Sequence, residues 1–295
     1  MLRLFDPWRS ELCTCPLKWV TSPYTGCGHR CLYCYASSYI PRHFQPRAKK
    51  DFVEKLRKDL EKVPRGALIE MATSSDPYTP PEQELRLTRK AIHLILSKGF
   101  RLLITTKSDL VVRDLDLLTR FRGRVAVAVT ITTLDENLAR RLEPGAPPPS
   151  RRVEAVKILS SRGVPVTVRL DPIIPFLNDD PNQIEELVAR VAEAGARQVT
   201  CSTYKAKPDN LRRMMNAFPD LANKFRELYL ERGARIHGYR YLEPSLRFRY
   251  LTTVQRIVLR YGMAFETCRE GFPQLNTPGF ACDGSSYAYE ESSST

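Results

Sequence analysis

Between residues 66 and 204, short runs rich in β-branched residues alternate with longer amphipathic stretches, and this alternation leaves few folds open. Strands are predicted at 67–73, 101–106, 124–132, 164–170 and 197–203. Helices are predicted at 82–97, 110–121, 150–161 and 182–194, closed near Gly99, Gly123, Gly163 and Gly195. Val125, Val127, Val129 and Ile131 share one face of the third strand, the period of two expected of extended chain. Lys18 to Tyr24 supplies an earlier strand and Asp51 to Glu61 an amphipathic helix. Such an order requires a parallel sheet with right-handed crossovers, either doubly wound or curled into a barrel. With six strands and no Gly-rich dinucleotide fingerprint, the expected fold is α/β, a partial (β/α)6 TIM-like barrel spanning 18–207. Residues 1–17 form an N-terminal segment. Residues 208–295 form a helical, loop-rich C-terminal extension, with helices at 209–232 and 245–261 and a frayed end from Tyr287 onward. The run Glu143 to Pro149 reads as a rigid surface loop inside the barrel unit.

A chain of 295 residues builds such a core without disulfide staples. Its eight cysteines therefore need another reason, and in a reducing compartment metal or redox chemistry is the usual one. No uncharged apolar run approaches the roughly 18 residues of a membrane span. The first residues lack a signal-peptide pattern, so a soluble, cytoplasmic protein with no membrane partner is expected. The 46 Lys and Arg against 33 Asp and Glu give a formal charge of +13. That excess suits an anionic partner such as DNA or RNA, and equally a solubilising surface, since no block concentrates it.

Five cysteines crowd the first 34 residues, and Cys27, Cys31 and Cys34 fall in the loop SPYTGCGHRCLYCYAS. Thiolates at C-x3-C-x2-C can wrap three corners of a small cubane and leave one iron with an open coordination position. The alternatives are a zinc site that adds His29 or another ligand, although no paired second half follows within a few tens of residues, and three unrelated buried thiols.

The loop, its aromatic Tyr33 and the β/α series that follows resemble radical S-adenosylmethionine (radical SAM) enzymes. Within that superfamily, PYTGCGHRCLYCYA, TSSDPYTPPE, TTKS and RLDPIIP are similar to the spore photoproduct lyase-like, or DNA repair photolyase-like, group over about residues 20 to 205. The resemblance implies that Cys27, Cys31 and Cys34 ligate a [4Fe-4S] cluster whose fourth iron takes S-adenosylmethionine. A reductant such as ferredoxin or flavodoxin would supply the electron that generates a 5′-deoxyadenosyl radical. A lyase- or transferase-like reaction on nucleic acid, another protein or a small molecule would follow. Ser74, Ser75 and Asp76 would hold the methionyl amine, Lys107 its carboxylate, and Tyr33 would pack on adenine. Thr130 and Thr132 are ribose or carboxylate candidates, and Arg169 is a bidentate anion candidate.

The resemblance breaks at one position. Thr73 stands where the lyase group carries a hydrogen-donating cysteine, and a hydroxyl O–H bond is too strong for that role. Cys201 could serve instead, or it is a small buried apolar residue. Cys13, Cys15, Cys268 and Cys282 remain, two before the barrel and two after it. Four thiols suffice for a second metal centre, a [4Fe-4S] cluster or zinc; a disulfide from Cys13 to Cys268 or Cys282, or no linkage, are the alternatives. The stretch His237 to Leu251, rich in Arg and Tyr, either tracks phosphates and stacks bases or is a helix packed on the barrel. Without radical chemistry, the same cysteines would make a non-enzymatic metal-binding nucleic-acid module.

Overall fold

The computed structural model describes residues 1–5, 11–71 and 73–289. Its strands are β1 (Arg3–Leu4), β2 (Trp19–Thr21), β3 (Tyr24–Thr25), β4 (Arg47–Ala48), β5 (Leu68–Met71), β6 (Arg101–Thr106), β7 (Val125–Thr130), β8 (Val166–Ile173), β9 (Gln198–Thr203), β10 (Ala234–Ile236), β11 (Tyr239–Tyr241) and β12 (Ala264–Thr267). One sheet runs in the order β1-β2-β5-β6-β7-β8-β9-β12. Every pairing from β2 to β12 is parallel, and β1 adds an antiparallel edge. The six predicted strands are therefore present, and β12 joins them as a further parallel strand. The extension beyond residue 208 completes the sheet, because the crossover helix α10 (Pro244–Arg260) returns the chain beside β9.

The remaining helices are α1 (Phe52–Leu60), α2 (Glu82–Leu85), α3 (Leu87–Ser97), α4 (Leu115–Arg120), α5 (Glu136–Leu142), α6 (Pro149–Ser161), α7 (Pro181–Glu193), α8 (Pro208–Ala217) and α9 (Ala222–Arg226). Helix α7 shows how locally the starts are encoded: Asp180 accepts from the backbone N–H of Asn182 and Gln183, and Pro181 occupies the first helical position. The helix expected over 82–97 is broken at Arg86, whose φ is 51°. Glu82 causes the break, since its carboxylate turns back to accept from Thr88 N at 2.8 Å and caps α3. The stretch 110–121 likewise divides into a 3-10 turn over Asp109–Asp114 and α4. The stretch 209–232 divides into α8, α9 and a π-helical turn over Glu227–Glu231.

Alternation along the strands separates two environments. Ile69, Ile104, Val127, Val168 and Val199 belong to the large apolar core beneath the helices. On the inner face, Leu68, Leu103, Ala126 and Ala128 form a smaller apolar cluster with Tyr287 and Ala288. The tail expected to fray therefore plugs the barrel as far as Ala288, and the small Ala126 and Ala128 leave room for it. Tyr289 is exposed, and Glu290 to Thr295 lie outside the described residues. Lys18 at one sheet edge and Thr200 near the other both bind this tail, through Asp283 (2.5 Å) and the Cys282 carbonyl (2.8 Å) respectively. The sheet edges thus curl towards each other around it. Among the described residues, no helix is long and apolar enough to cross a membrane.

Candidate active site

The cysteine loop leaves β3 and returns through β4, whose antiparallel pairing closes its stem. Its backbone is tied on several sides. Cys27 N donates to the His43 carbonyl at 2.7 Å, and Leu32 N to the Leu142 carbonyl at 2.8 Å. Helix α8 holds the far side: Asn210 donates to the Tyr33 carbonyl at 3.0 Å, and Arg213 donates to the carbonyls of Leu32 (3.1 Å) and Cys34 (2.9 Å). Residues beyond the predicted barrel therefore position the loop.

Two glycines allow the loop to seat. A Cβ on Gly28 would lie 2.5 Å from Pro80 Cδ, and one on Gly145 would lie 2.1 Å from the Gly28 carbonyl oxygen. The second contact is backbone and cannot rotate away. The run 143–149 is thus more than the surface loop expected from its prolines, because Glu143 is fully buried and Gly145 packs directly on the cysteine loop. Gly145→Ala is expected to lower severalfold the iron retained by the loop after anaerobic reconstitution, and undiminished iron with an unchanged melting temperature would contradict this account.

Burial pushes all three loop thiols up, Cys27 to about 12 with Asp76 adding to the effect. A metal centre would replace those protons. Both ring nitrogens of His29 are engaged, with Asp76 at 3.1 Å and the Gly145 carbonyl at 3.1 Å, so the zinc reading that borrowed His29 loses its ligand. His43, which the sequence did not single out, places Nε2 3.3 Å from Cys34 Sγ. Burial and the nearby Arg213 and Arg47 hold its pKa down at about 4, leaving a neutral ring beside the thiol.

The strand-end residues gather around this loop, but several have different partners from those expected. Asp76 accepts from Thr106 Oγ1 and the backbone N–H of Tyr78 through one oxygen and from Lys107 N through the other, which also ion-pairs with His29. Burial opposes its charge, yet His29 and these donors hold its pKa below the usual carboxylate range. Asp76 therefore braces the loop against β6 rather than offering a free carboxylate to an amine. Ser75 is linked to Ser22 (2.7 Å) and to the Tyr24 carbonyl, and Ser74 accepts from Tyr39 at 3.3 Å.

Lys107 lies with Nζ 5.6 Å from the centre of the Tyr33 ring. Burial works against its charge, but Cys31 and Glu143 hold its pKa above the ordinary lysine value. Tyr33 is drawn inward: its hydroxyl donates to Glu143 and its ring packs with Leu142, Ile174 and Tyr204. That burial makes it an anchor of the loop rather than an open surface for adenine. Glu143 also receives Thr132 at 3.2 Å and pairs with Arg152 at 2.5 Å, while Arg152 donates to the Thr130 carbonyl at 3.2 Å. Thr130 and Thr132 are both buried beside this pair. Arg169 lies within β8 and bonds Asp171 at 2.7 Å and the Cys268 sulfur.

Cys201 is not brought to the site. Its neighbours Thr200 and Ser202 bond the tail and Asp171 on the inner face, whereas Cys201 itself is fully buried in the apolar core beneath the helices. It is the small apolar residue of the two readings, and a hydrogen-donor role is withdrawn. Further buried charges that the sequence did not reveal line the strand ends, including Glu270 with Lys205 (2.8 Å) and Arg247 (3.1 Å).

Residues 21–191 match the model of the Radical SAM superfamily. An uncharacterized protein of Mycobacterium tuberculosis is 29% identical over 268 residues, covering 84% of this chain and 76% of that protein. The radical SAM Nα-GlyT isomerase of Pseudomonas phage M6 is 22% identical over 280 residues, covering 90% of this chain and 57% of the isomerase. Among solved structures, spore photoproduct lyase complexed with dinucleoside spore photoproduct superposes with a TM-score of 0.69 at 18% identity, over 90% of this chain and 78% of the lyase. The donor set fits the group such a family implies, for three thiols share one loop with a cation beside them and every backbone carbonyl from Leu32 to Cys34 is held. With its parallel α/β sheet and this loop at the strand ends, the chain belongs to the radical SAM superfamily.

Proposed function

We propose that this chain is a radical SAM enzyme that abstracts hydrogen from a nucleic-acid substrate, with Cys27, Cys31 and Cys34 holding the [4Fe-4S] cluster. When bound, the cluster and S-adenosylmethionine supply the 5′-deoxyadenosyl radical, given an external reductant such as ferredoxin or flavodoxin. The protein's own part is to place and dry the site. Asp76 and His29 fix the loop against β6, Ser74 and Ser75 offer hydroxyls to the methionyl amine, and Lys107 offers its ammonium to the carboxylate.

One observation favours nucleic acid. Tyr35, which directly follows the last loop cysteine, meets Tyr239 edge to face at 5.6 Å, and Tyr239 lies under Lys207 (4.3 Å) and Arg269 (4.8 Å). Tyr239 and Arg269 are themselves buried, so they back the half-buried Tyr35 and Lys207, the pair that would meet base and phosphate beside the reactive loop. The +13 charge agrees with it. So does the lyase of similar fold whose structure holds a dinucleoside spore photoproduct. Within the Arg-rich stretch, Arg247 serves packing, buried against Glu270, while Phe248 and Arg249 are exposed. With a threonine at 73 and Cys201 turned to the helices, the reading is modification or rearrangement of a nucleotide rather than photoproduct reversal.

The test is retention of labelled single-stranded and duplex DNA and RNA at low salt by the reconstituted protein. Lys207→Ala with Tyr239→Ala is expected to weaken it at least severalfold and to shallow its salt dependence. Equal retention by the double variant, or none by the wild type, would turn the reading to a protein or small-molecule substrate.

A further inference from the structure

Outside the catalytic loop, four thiols from the two ends of the sequence meet at the open seam of the barrel. Cys13 and Cys15 lie between β1 and β2, Cys268 directly follows β12, and Cys282 lies in the tail that enters the barrel. Cys15 Sγ stands 3.4 Å from Cys282 Sγ, and both are free thiols. The Cys13 side chain bonds to Cys15, and Cys268 interacts electrostatically with Cys13, Cys15 and Cys282.

The meeting is built rather than incidental. Lys18, three residues after Cys15, pairs with Asp283, the neighbour of Cys282, at 2.5 Å, and with Glu70 at 2.7 Å. Strand β9 holds the tail backbone through Gln198 to the Ala281 carbonyl (3.0 Å) and Thr200 to the Cys282 carbonyl (2.8 Å). Cys268 N continues the β9–β12 pairing by donating to the Cys201 carbonyl at 2.9 Å. Leu12 packs so closely on the turn after Cys268 that a Cβ on Gly271 would lie 2.8 Å from it. None of the four thiols belongs to a buried apolar cluster, in contrast to Cys201. Two cations accompany them instead: Lys18, almost wholly buried, and Arg169, which donates to Cys268.

We propose that Cys13, Cys15, Cys268 and Cys282 ligate a second iron–sulfur cluster, which clasps the N-terminal segment, β12 and the tail across the open side of the barrel. Four thiolates close the coordination of a cubane, so this centre offers no iron to substrate. Binding releases the thiol protons, and Lys18 and Arg169 offset part of the resulting negative charge. A single zinc ion would draw on the same four thiolates, and metal analysis separates it from a cluster. A disulfide would use two of the thiols and leave the others without a purpose.

The experiment removes the catalytic loop and keeps the rest of the full-length chain. The triple variant Cys27→Ala, Cys31→Ala, Cys34→Ala is reconstituted anaerobically with ferrous iron and sulfide. It is expected to retain about four irons and four sulfides per chain, against about eight of each in the wild type. Adding Cys268→Ser and Cys282→Ser should remove them. Far-UV circular dichroism of both variants checks folding, and alkylation with mass spectrometry reports which thiols the centre protects in the triple variant. An iron-free triple variant with a native spectrum overturns the proposal, as does one zinc per chain or a mass showing a Cys15–Cys282 disulfide. Failure of the catalytic reading looks different, since wild type and triple variant would then hold equal iron.

Discussion

Replacing any one of Cys27, Cys31 or Cys34 with Ala is expected to abolish reductive cleavage of S-adenosylmethionine, with 5′-deoxyadenosine falling to the level of protein-free controls. Three ligands are the minimum that holds a cubane while leaving an iron open, and the described structure brings no replacement to the loop. Both ring nitrogens of His29 are engaged by Asp76 and Gly145, and His43 lies against Cys34 rather than in place of it. The loss should be catalytic and not a collapse of the fold. The loop's backbone is fixed by Asn210, Arg213 and the Leu142 carbonyl, none of which needs a thiol, so each apo variant should melt within a few degrees of the apo wild type. The measurement is chromatographic quantification of 5′-deoxyadenosine after anaerobic incubation with dithionite, beside thermal denaturation of the same preparations. Full product formation by any of the three variants would overturn the assignment of the loop as the catalytic centre.

The architecture was legible where local and tertiary demands coincide. In β7 the valines face the helices and the alanines face the lumen, so a period of two on the page became two faces of a curved sheet. Helix starts such as Asp180-Pro181 are written in a few consecutive residues. The cysteine loop was equally visible, because its spacing is local. What stayed hidden depends on contacts between distant segments. Nothing in EPGAPPP reveals that Glu143 will be buried under Tyr33 or that Gly145 will touch Gly28. Nor does the polar, aromatic tail announce that Tyr287 and Ala288 will plug the lumen beside Ala126 and Ala128. Asp76 follows its strand as expected, whereas Arg169 lies within β8 rather than at its end, and both bond to protein partners. Asp76 lies at the expected sheet edge, but Thr106, Lys107 and His29, which bind it, come from other segments of the chain.

Arg152→Ala is expected to cause the largest loss of stability of any single change near the site. Arg152 and Glu143 are each about 1% exposed and pair at 2.5 Å. Burial opposes the charge of Glu143, while Arg152 and Lys107 hold its pKa below the usual range. Removing Arg152 leaves a carboxylate in the interior with much of its compensation gone, a change that costs about 3–5 kcal/mol. At roughly 2–4 °C per kcal/mol for large domains, the melting temperature should fall by on the order of 10 °C. The carbonyls of Pro147 and Thr130 lose their donor as well, so Arg152→Lys should recover only part of the loss, keeping the charge but not the fork. Adding Glu143→Gln to Arg152→Ala removes the orphaned charge, and the double variant should melt above the single one. Tyr33 donates to the same Glu143, and its backbone lies between Cys31 and Cys34, two of the proposed ligands, so Arg152→Ala should also lower iron retention by the cysteine loop. Thermal denaturation of the three variants decides the matter: if Arg152→Ala melts with the wild type, or the double variant melts below the single, the buried pair does not carry the stability ascribed to it.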